Sequence, residues 1–294
     1  MDKEFFSGVC TALVTPFTDQ GIQENVLEQL LETQIAAGVP AVVLSGTTGE
    51  SATLTDKEKA QLFAASVEIA NGRCKIVAGT GSNDTAHGIK LSQIAQDAGV
   101  DGLLVVTPYY NKATADGLTA HYSAIANAVD LPLIVYNVPS RTGVDVPVQV
   151  YKELSRVPNI VGVKEACGNI SKIVKFFHDC PKTMALWSGN DDQIVPIMAL
   201  GGRGVISVLS NIAPKETVEL VDAALHNDYP RAAQLQTKLL PVIDCLFATL
   251  NPIPVKAALQ LQGCNVGPCR LPLTSLPAKD LAVLQKTMEE TGLL

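Results

Sequence analysis

The sequence reads as an α/β chain folded into a (β/α)8 barrel with a C-terminal helical extension. Three observations lead there: eight short apolar runs rich in β-formers, helical patterns between them, and a tail with helical patterns only. The runs are 8–14, 41–44, 75–78, 102–106, 133–136, 160–163, 185–187 and 204–208. Their centres lie about 20 to 35 residues apart, which suits strand–helix units with short connections. They are almost continuously apolar rather than alternating, as parallel strands covered by helices are. Eight such units favour a closed barrel, and a doubly wound open sheet is the alternative.

The intervening segments carry helix signals. Leu27, Leu30, Leu31 and Ile35 recur at helical spacing before Gly38. Thr55-Asp-Lys-Glu58 is a capping-box pattern that opens a helix running to Ala70. After the eighth run the pattern stays helical, with breaks at Tyr229-Pro230, Asn251-Pro-Ile-Pro254, 263–272 and Pro277. The barrel's last helix is placed near 215–226. Residues 1–226 then form the barrel and 227–294 a three-helix extension packed on it.

Composition narrows the function. Of 294 residues, 47% are hydrophobic and 17% charged, enough apolar material for a sizeable core. A net charge of −7 argues against nucleic acid and anionic membranes, which need a basic face. No apolar run approaches the roughly 18 residues of a membrane span, and the start is acidic where a signal peptide is basic. A soluble, cytoplasmic protein is expected. Seven scattered cysteines without a C-x-x-C pair read as free thiols, and four isolated histidines give no metal-binding spacing.

In a barrel the chemistry sits at the C-terminal ends of the strands, so the residues after each run matter most. Lys164 closes the run Ile160-Val-Gly-Val163, an unusual place for an ammonium. It reads either as a Schiff-base nucleophile or as a rim lysine paired with Glu165. The first reading needs desolvation to free the amine of its proton. Tyr136 ends the neighbouring run, and its phenol could relay a proton beside Lys164 or simply sit in water. Ser45-Gly-Thr-Thr-Gly-Glu-Ser51 offers hydroxyls and backbone N–H groups that suit a small carboxylate, although glycine-rich turns are common. It is no Walker loop, and Gly79-Thr-Gly81 lacks the third glycine of a dinucleotide fingerprint. Arg141, framed by Pro139 and Gly143, has the planar fork for a second carboxylate. Asp191 and Asp192 are read as acids capping the seventh helix.

Taken together, Gly46-Thr-Thr-Gly-Glu-Ser51, Tyr136-Asn-Val-Pro-Ser-Arg-Thr-Gly143, Gly162-Val-Lys-Glu-Ala166 and Asn251-Pro-Ile-Pro-Val-Lys256 resemble the signature segments of the pyruvate-dependent class I aldolase family that includes N-acetylneuraminate lyase. The likeness covers essentially the whole chain. It is strongest to members that condense pyruvate with L-aspartate 4-semialdehyde on the way to lysine and diaminopimelate. Other aldolases of the family, such as sialate lyases, are the alternative.

The resemblance implies Lys164 as the Schiff-base lysine, with Thr47, Tyr110 and Tyr136 as a proton relay. Tyr110 would come from a neighbouring subunit of a homotetramer, a dimer of dimers. Thr48 and the adjoining backbone would take the pyruvate carboxylate, Arg141 the semialdehyde carboxylate, and Gly189 and Ile206 would line the pocket near the imine. No cofactor and no metal are implied. Ser51, Ala52, Asn83 and Tyr109 match the effector site of lysine-sensitive relatives. That site is degenerate here: Asp56 and Lys59 replace histidines, and His87 replaces a glutamate.

Overall fold

The computed structural model describes residues 5–294, and the acidic start at residues 1–4 lies outside them. The strands run in chain order. First come β1 (Gly8–Ala12) and a hairpin of β2 (Phe17–Thr18) and β3 (Gly21–Ile22). Then follow β4 (Ala41–Leu44), β5 (Lys75–Gly79), β6 (Gly102–Val106), β7 (Leu133–Asn137), β8 (Ile160–Glu165), β9 (Ala185–Ser188) and β10 (Gly204–Ser207). Outside the hairpin all pairings are parallel, and β1 pairs with both β10 and β4, so the sheet closes. This is a (β/α)8 TIM barrel, and closure rules out the open sheet.

Around it lie α1 (Glu24–Ala36), α2 (Asp56–Ala70), α3 (Thr85–Asp97), α4 (Ala115–Ala126), α5 (Pro139–Thr142), α6 (Val148–Leu154), α7 (Ile170–Asp179), α8 (Ile194–Ala199) and α9 (Pro214–Leu225). Local chemistry starts several of them. Thr55 Oγ1 accepts from Glu58 N while Glu58 Oε2 accepts from Thr55 N, so the capping box before α2 forms in full. Asp84 caps α3 by accepting from Ala86 N, and Thr114 caps α4 by accepting from Gly117 N, each without the return bond of a capping box. Leu27, Leu30 and Leu31 are buried along one stripe of α1.

The apolar runs conceal a period of two. Cys10 and Ala12, Ala41 and Val43, Val77, Leu104, Ile134 and Tyr136, Val161, Trp187 and Ile206 form the barrel's interior cluster. The alternate residues of each strand face the helices. Phe6 stacks on Trp187 within the interior, with ring centroids 4.6 Å apart.

Element ends differ from the sequence reading where a polar residue continues a strand. β7 extends to Asn137 and β8 to Glu165, which places Tyr136 and Lys164 inside the sheet as a paired position. Glu165 can stay in a buried strand because side chains of other elements satisfy it. β1 stops early because Val14 N donates to Asn211 Oδ1 rather than to a strand. The two-residue strands of the β2–β3 hairpin are too short to show a period.

After α9 come α10 (Tyr229–Phe247), α11 (Ile253–Leu261) and α12 (Ala278–Thr291). α10 lies against α9, α8 and α12, and α11 against α12. Leu235, Leu239, Val242 and Leu246 of α10 are buried in the same apolar cluster as the barrel's helices.

Candidate active site

Lys164 is buried at the end of β8, opposite Tyr136 of β7. Its Nζ lies 4.3 Å from the Tyr136 ring centroid, a cation–π contact that holds the amine beside the phenol. The ion pair with Glu165 weighed from the sequence does not form. Glu165 faces the helices, where it accepts from Asn137 Nδ2 (2.7 Å), Tyr151 OH (2.8 Å) and Cys167 N (3.0 Å) and pairs with Lys172 (3.2 Å). Asn137 also meets Asp145, which Lys172 contacts as well. The residues after Tyr136 and Lys164 are thus cross-braced behind the strands, and the two chemical groups are left facing inward. Burial and the Glu165 carboxylate together keep the Tyr151 phenol protonated.

A cavity of about 460 Å³ opens at this end of the barrel, lined by Thr47, Tyr136, Arg141 and Asn251 among others. Lys164 lies under Tyr136 rather than in the lining itself. Thr47 and Thr48 belong to the turn after β4, which folds tightly against β5: a Cβ on Gly79 would stand 2.2 Å from Ser45 O. Thr48 is buried, and its Oγ1 accepts from Asn251 Nδ2 at 3.0 Å. Glu50, left-handed at φ 55°, anchors the far end of the turn. It pairs with Lys256 Nζ at 2.7 Å and accepts from Arg270 N at 2.8 Å. Burial lowers the Lys256 pKa, and the Glu50 carboxylate opposes that shift. Arg141 reaches the cavity from α5 and donates to Asn251 O at 3.3 Å. Asn251 therefore touches both groups expected to hold substrate carboxylates, a function its sequence position did not reveal.

Gly189 and Ile206 lie close by. Gly189 N donates to Glu165 O at 2.8 Å, and a Cβ there would come within 2.7 Å of Ala166 Cβ, crowding the chain beside Lys164. Ile206 is fully buried in the barrel interior. Tyr110 is not brought to this site. It is 91% exposed, left-handed at φ 70°, and outside the cavity lining.

The capping reading of Asp191 is corrected. Residues Asp191–Gln193 make one 3-10 turn before α8, and no side chain caps α8. Asp191 turns inward, and its Oδ2 accepts from the N–H groups of Val208 and Leu209. The backbone past β10 has unpaired donors there, and a buried carboxylate satisfies two of them.

Ser51, Ala52, His87 and Tyr109 line the same cavity. Asn83 does not line it, and its carbonyl accepts from Asn111 Nδ2. Lys59 is buried and lines the cavity as well. Asp56 accepts from or pairs with His87 Nε2 (2.9 Å) and Lys90 Nζ (2.8 Å). Those two partners, Lys90 first, lower the Asp56 pKa to about 2. Burial lowers that of Lys59.

Residues 5–291 match the Dihydrodipicolinate synthetase family. The chain belongs to that family. A 4-hydroxy-tetrahydrodipicolinate synthase of Thermoanaerobacter sp. (strain X514) is 47% identical over 98% of both chains. The dihydrodipicolinate synthase structure from Thermotoga maritima superposes with a TM-score of 0.97 at 40% identity, covering 99% of this chain and 100% of the other. A family structure from Cyanidioschyzon merolae with lysine bound gives a TM-score of 0.96 at 39% identity, over 99% of each chain.

Proposed function

We propose that this chain condenses pyruvate with L-aspartate 4-semialdehyde through an imine on Lys164, giving 4-hydroxy-tetrahydrodipicolinate. The observation that carries the reading is the buried Lys164–Tyr136 pair beside a cavity that Thr47 and Arg141 line. The names of the relatives and of the family support it.

The Lys164 amine attacks C2 of pyruvate, and one water leaves as the iminium forms. The cationic nitrogen makes the methyl protons acidic, so the lysine supplies the electron sink that a cofactor often provides. Loss of one proton gives an enamine, whose carbon attacks the semialdehyde aldehyde. The new alkoxide takes up a proton, and the semialdehyde amine then displaces Lys164 from C2 and closes the ring. Tyr136 and Thr47 relay these protons, with Tyr110 of a neighbouring subunit completing the path. Thr48 and its backbone hold the pyruvate carboxylate, and Arg141 takes the semialdehyde carboxylate. Gly189 and Ile206 shape the imine pocket. The reading includes a homotetramer, a cytoplasmic location, and an extension (227–294) packed on the barrel (1–226). A sialate lyase or other keto-acid aldolase is less well supported, since a short semialdehyde ending in a carboxylate suits Arg141.

Borohydride reduction in the presence of pyruvate tests the assignment. Peptide mass mapping should find the adduct on Lys164 alone, and Lys164→Ala should lose it while keeping the fold. An adduct on a different lysine would reject the assignment.

A further inference from the structure

A buried carboxylate stands on the turn after β9, the strand next to the one that bears Lys164. Asp191 is 1% exposed. Its Oδ2 accepts from Val208 N at 2.9 Å and Leu209 N at 3.0 Å, while its Oδ1 is buried without a hydrogen-bond partner. Gln236 Nε2 of α10 donates to the Asp191 carbonyl at 2.8 Å, so the turn is held from behind and cannot swing the carboxyl out to water. A buried carboxylate oxygen left unpaired is costly, and it calls for another use of the charge.

Strand order shows where that charge falls. β9 lies between β8 and β10, with Lys164 opposite Trp187, Glu165 opposite Ser188, and Ser188 opposite Val205. The turn after Ser188 therefore lies over the ends of both neighbouring strands, the end bearing Lys164 and the end leading to Val208. Burial pushes the Asp191 carboxyl toward its protonated form; the Ser207 hydroxyl first, then the Leu209 and Val208 N–H groups, and last the Lys164 charge oppose this. Cys10 from β1 and Tyr136 from β7 also face Lys164. Burial keeps the Cys10 thiol neutral, which leaves Asp191 as the acid of this set.

We propose that Asp191 is a positioning residue for the chemistry of Lys164. Its Oδ2 pins the end of β10, and its Oδ1 holds a fixed negative charge toward the cationic iminium. The inference rests on the imine reading above. In that step amine, ketone and one proton condense to an iminium and one water, so a new cation appears in a barrel otherwise walled by Val161, Ile206 and the Tyr136 ring. A fixed counter-charge stabilises that cation without reorganising when it forms.

Two variants separate charge from clamp. Asp191→Asn keeps an oxygen for the two N–H groups and removes the charge. Asp191→Glu keeps the charge and displaces the clamp. Borohydride trapping of pyruvate on Lys164, followed by intact mass across pyruvate concentration and pH, is the readout, with thermal melting alongside. In Asp191→Asn the half-saturating pyruvate concentration should rise about tenfold at little change in melting temperature. The acid limb of trapping should move about half a pH unit lower, because losing a nearby negative charge disfavours the ammonium form. Asp191→Glu should keep the wild-type acid limb even if it melts earlier. If Asp191→Asn does not fold, Asp191→Ser, which leaves room for a water at the two N–H groups, carries the same comparison. An unmoved acid limb in the uncharged variant, or an equal shift in Asp191→Glu, would overturn the proposal. Absence of trapping in the wild-type protein would instead overturn the imine reading.

Discussion

Arg141 is an exposed residue lining the cavity, and among the described residues its side chain makes one long hydrogen bond, 3.3 Å to Asn251 O. A guanidinium held by a backbone carbonyl is oriented without being neutralised, which suits a residue waiting for a carboxylate. Arg141→Ala should therefore raise the KM for the semialdehyde by about ten- to two-hundredfold, the worth of a charge-assisted contact of about 1.5–3 kcal/mol. The KM for pyruvate should stay within about twofold, since the proposed reading gives that carboxylate to Thr48 rather than Arg141. Initial rates with each substrate varied in turn decide the matter, and equal effects on both would count against the role. Lys164 shows the same logic from the other side. Its neighbour Glu165 is fully occupied by Asn137, Tyr151, Cys167 and Lys172, so the lysine is not tied up in the ion pair that adjacency in the sequence suggests.

Between elements, the site depends on contacts that span the chain. Glu50 follows the Thr47-Thr48 turn, and Lys256 sits on α11, yet their side chains are almost completely buried against each other at 2.7 Å. Lys256→Met should leave Glu50 buried and unpaired, at a cost of about 3–5 kcal/mol. The melting temperature should fall accordingly, and the double variant with Glu50→Gln should recover much of the loss. A single variant that melts like wild type would mean the pair carries no stability. This pair also shows what the sequence could disclose. The eight strands were legible because burial on both faces leaves continuous apolar runs, and Tyr136 and Lys164 because they end such runs. The capping box of α2 was legible because its partners are three residues apart. Asp191 was misread because its partners, Val208 and Leu209, lie on another strand's loop. The grip of Asn251 on Thr48 and Arg141 joins positions more than a hundred residues apart, and no local pattern records it.

The whole molecule adds two expectations, each set at a surface rather than in the core. Tyr110 projects from the barrel and does not reach its own chain's cavity. If it completes a neighbour's relay, activity should track an oligomer, and a fully active monomer in sedimentation under assay conditions would refute the shared site. The second expectation concerns the cavity wall that matches the effector site. A lysine effector would bring two ammonium groups and one carboxylate to a wall that includes Ser51, Ala52, Lys59, His87 and Tyr109. Glu50 and Asp56 are the nearby acids, but Lys256 Nζ and Arg270 N already occupy the oxygens of Glu50, and His87 Nε2 and Lys90 Nζ those of Asp56. Lys59 adds a buried cation, and His87 stands where the resemblance places a glutamate. A neutral imidazole offers no full negative charge, and a protonated one repels the ligand. Loss of a charge-assisted hydrogen bond weakens binding by about ten- to two-hundredfold, before the repulsion from Lys59 is counted. Initial rates should hardly change as L-lysine is raised through concentrations that inhibit sensitive relatives. Strong, saturable inhibition would mean that Asp56 releases Lys90 to meet the effector's ammonium, and that the charge around it is less positive than the resting contacts imply.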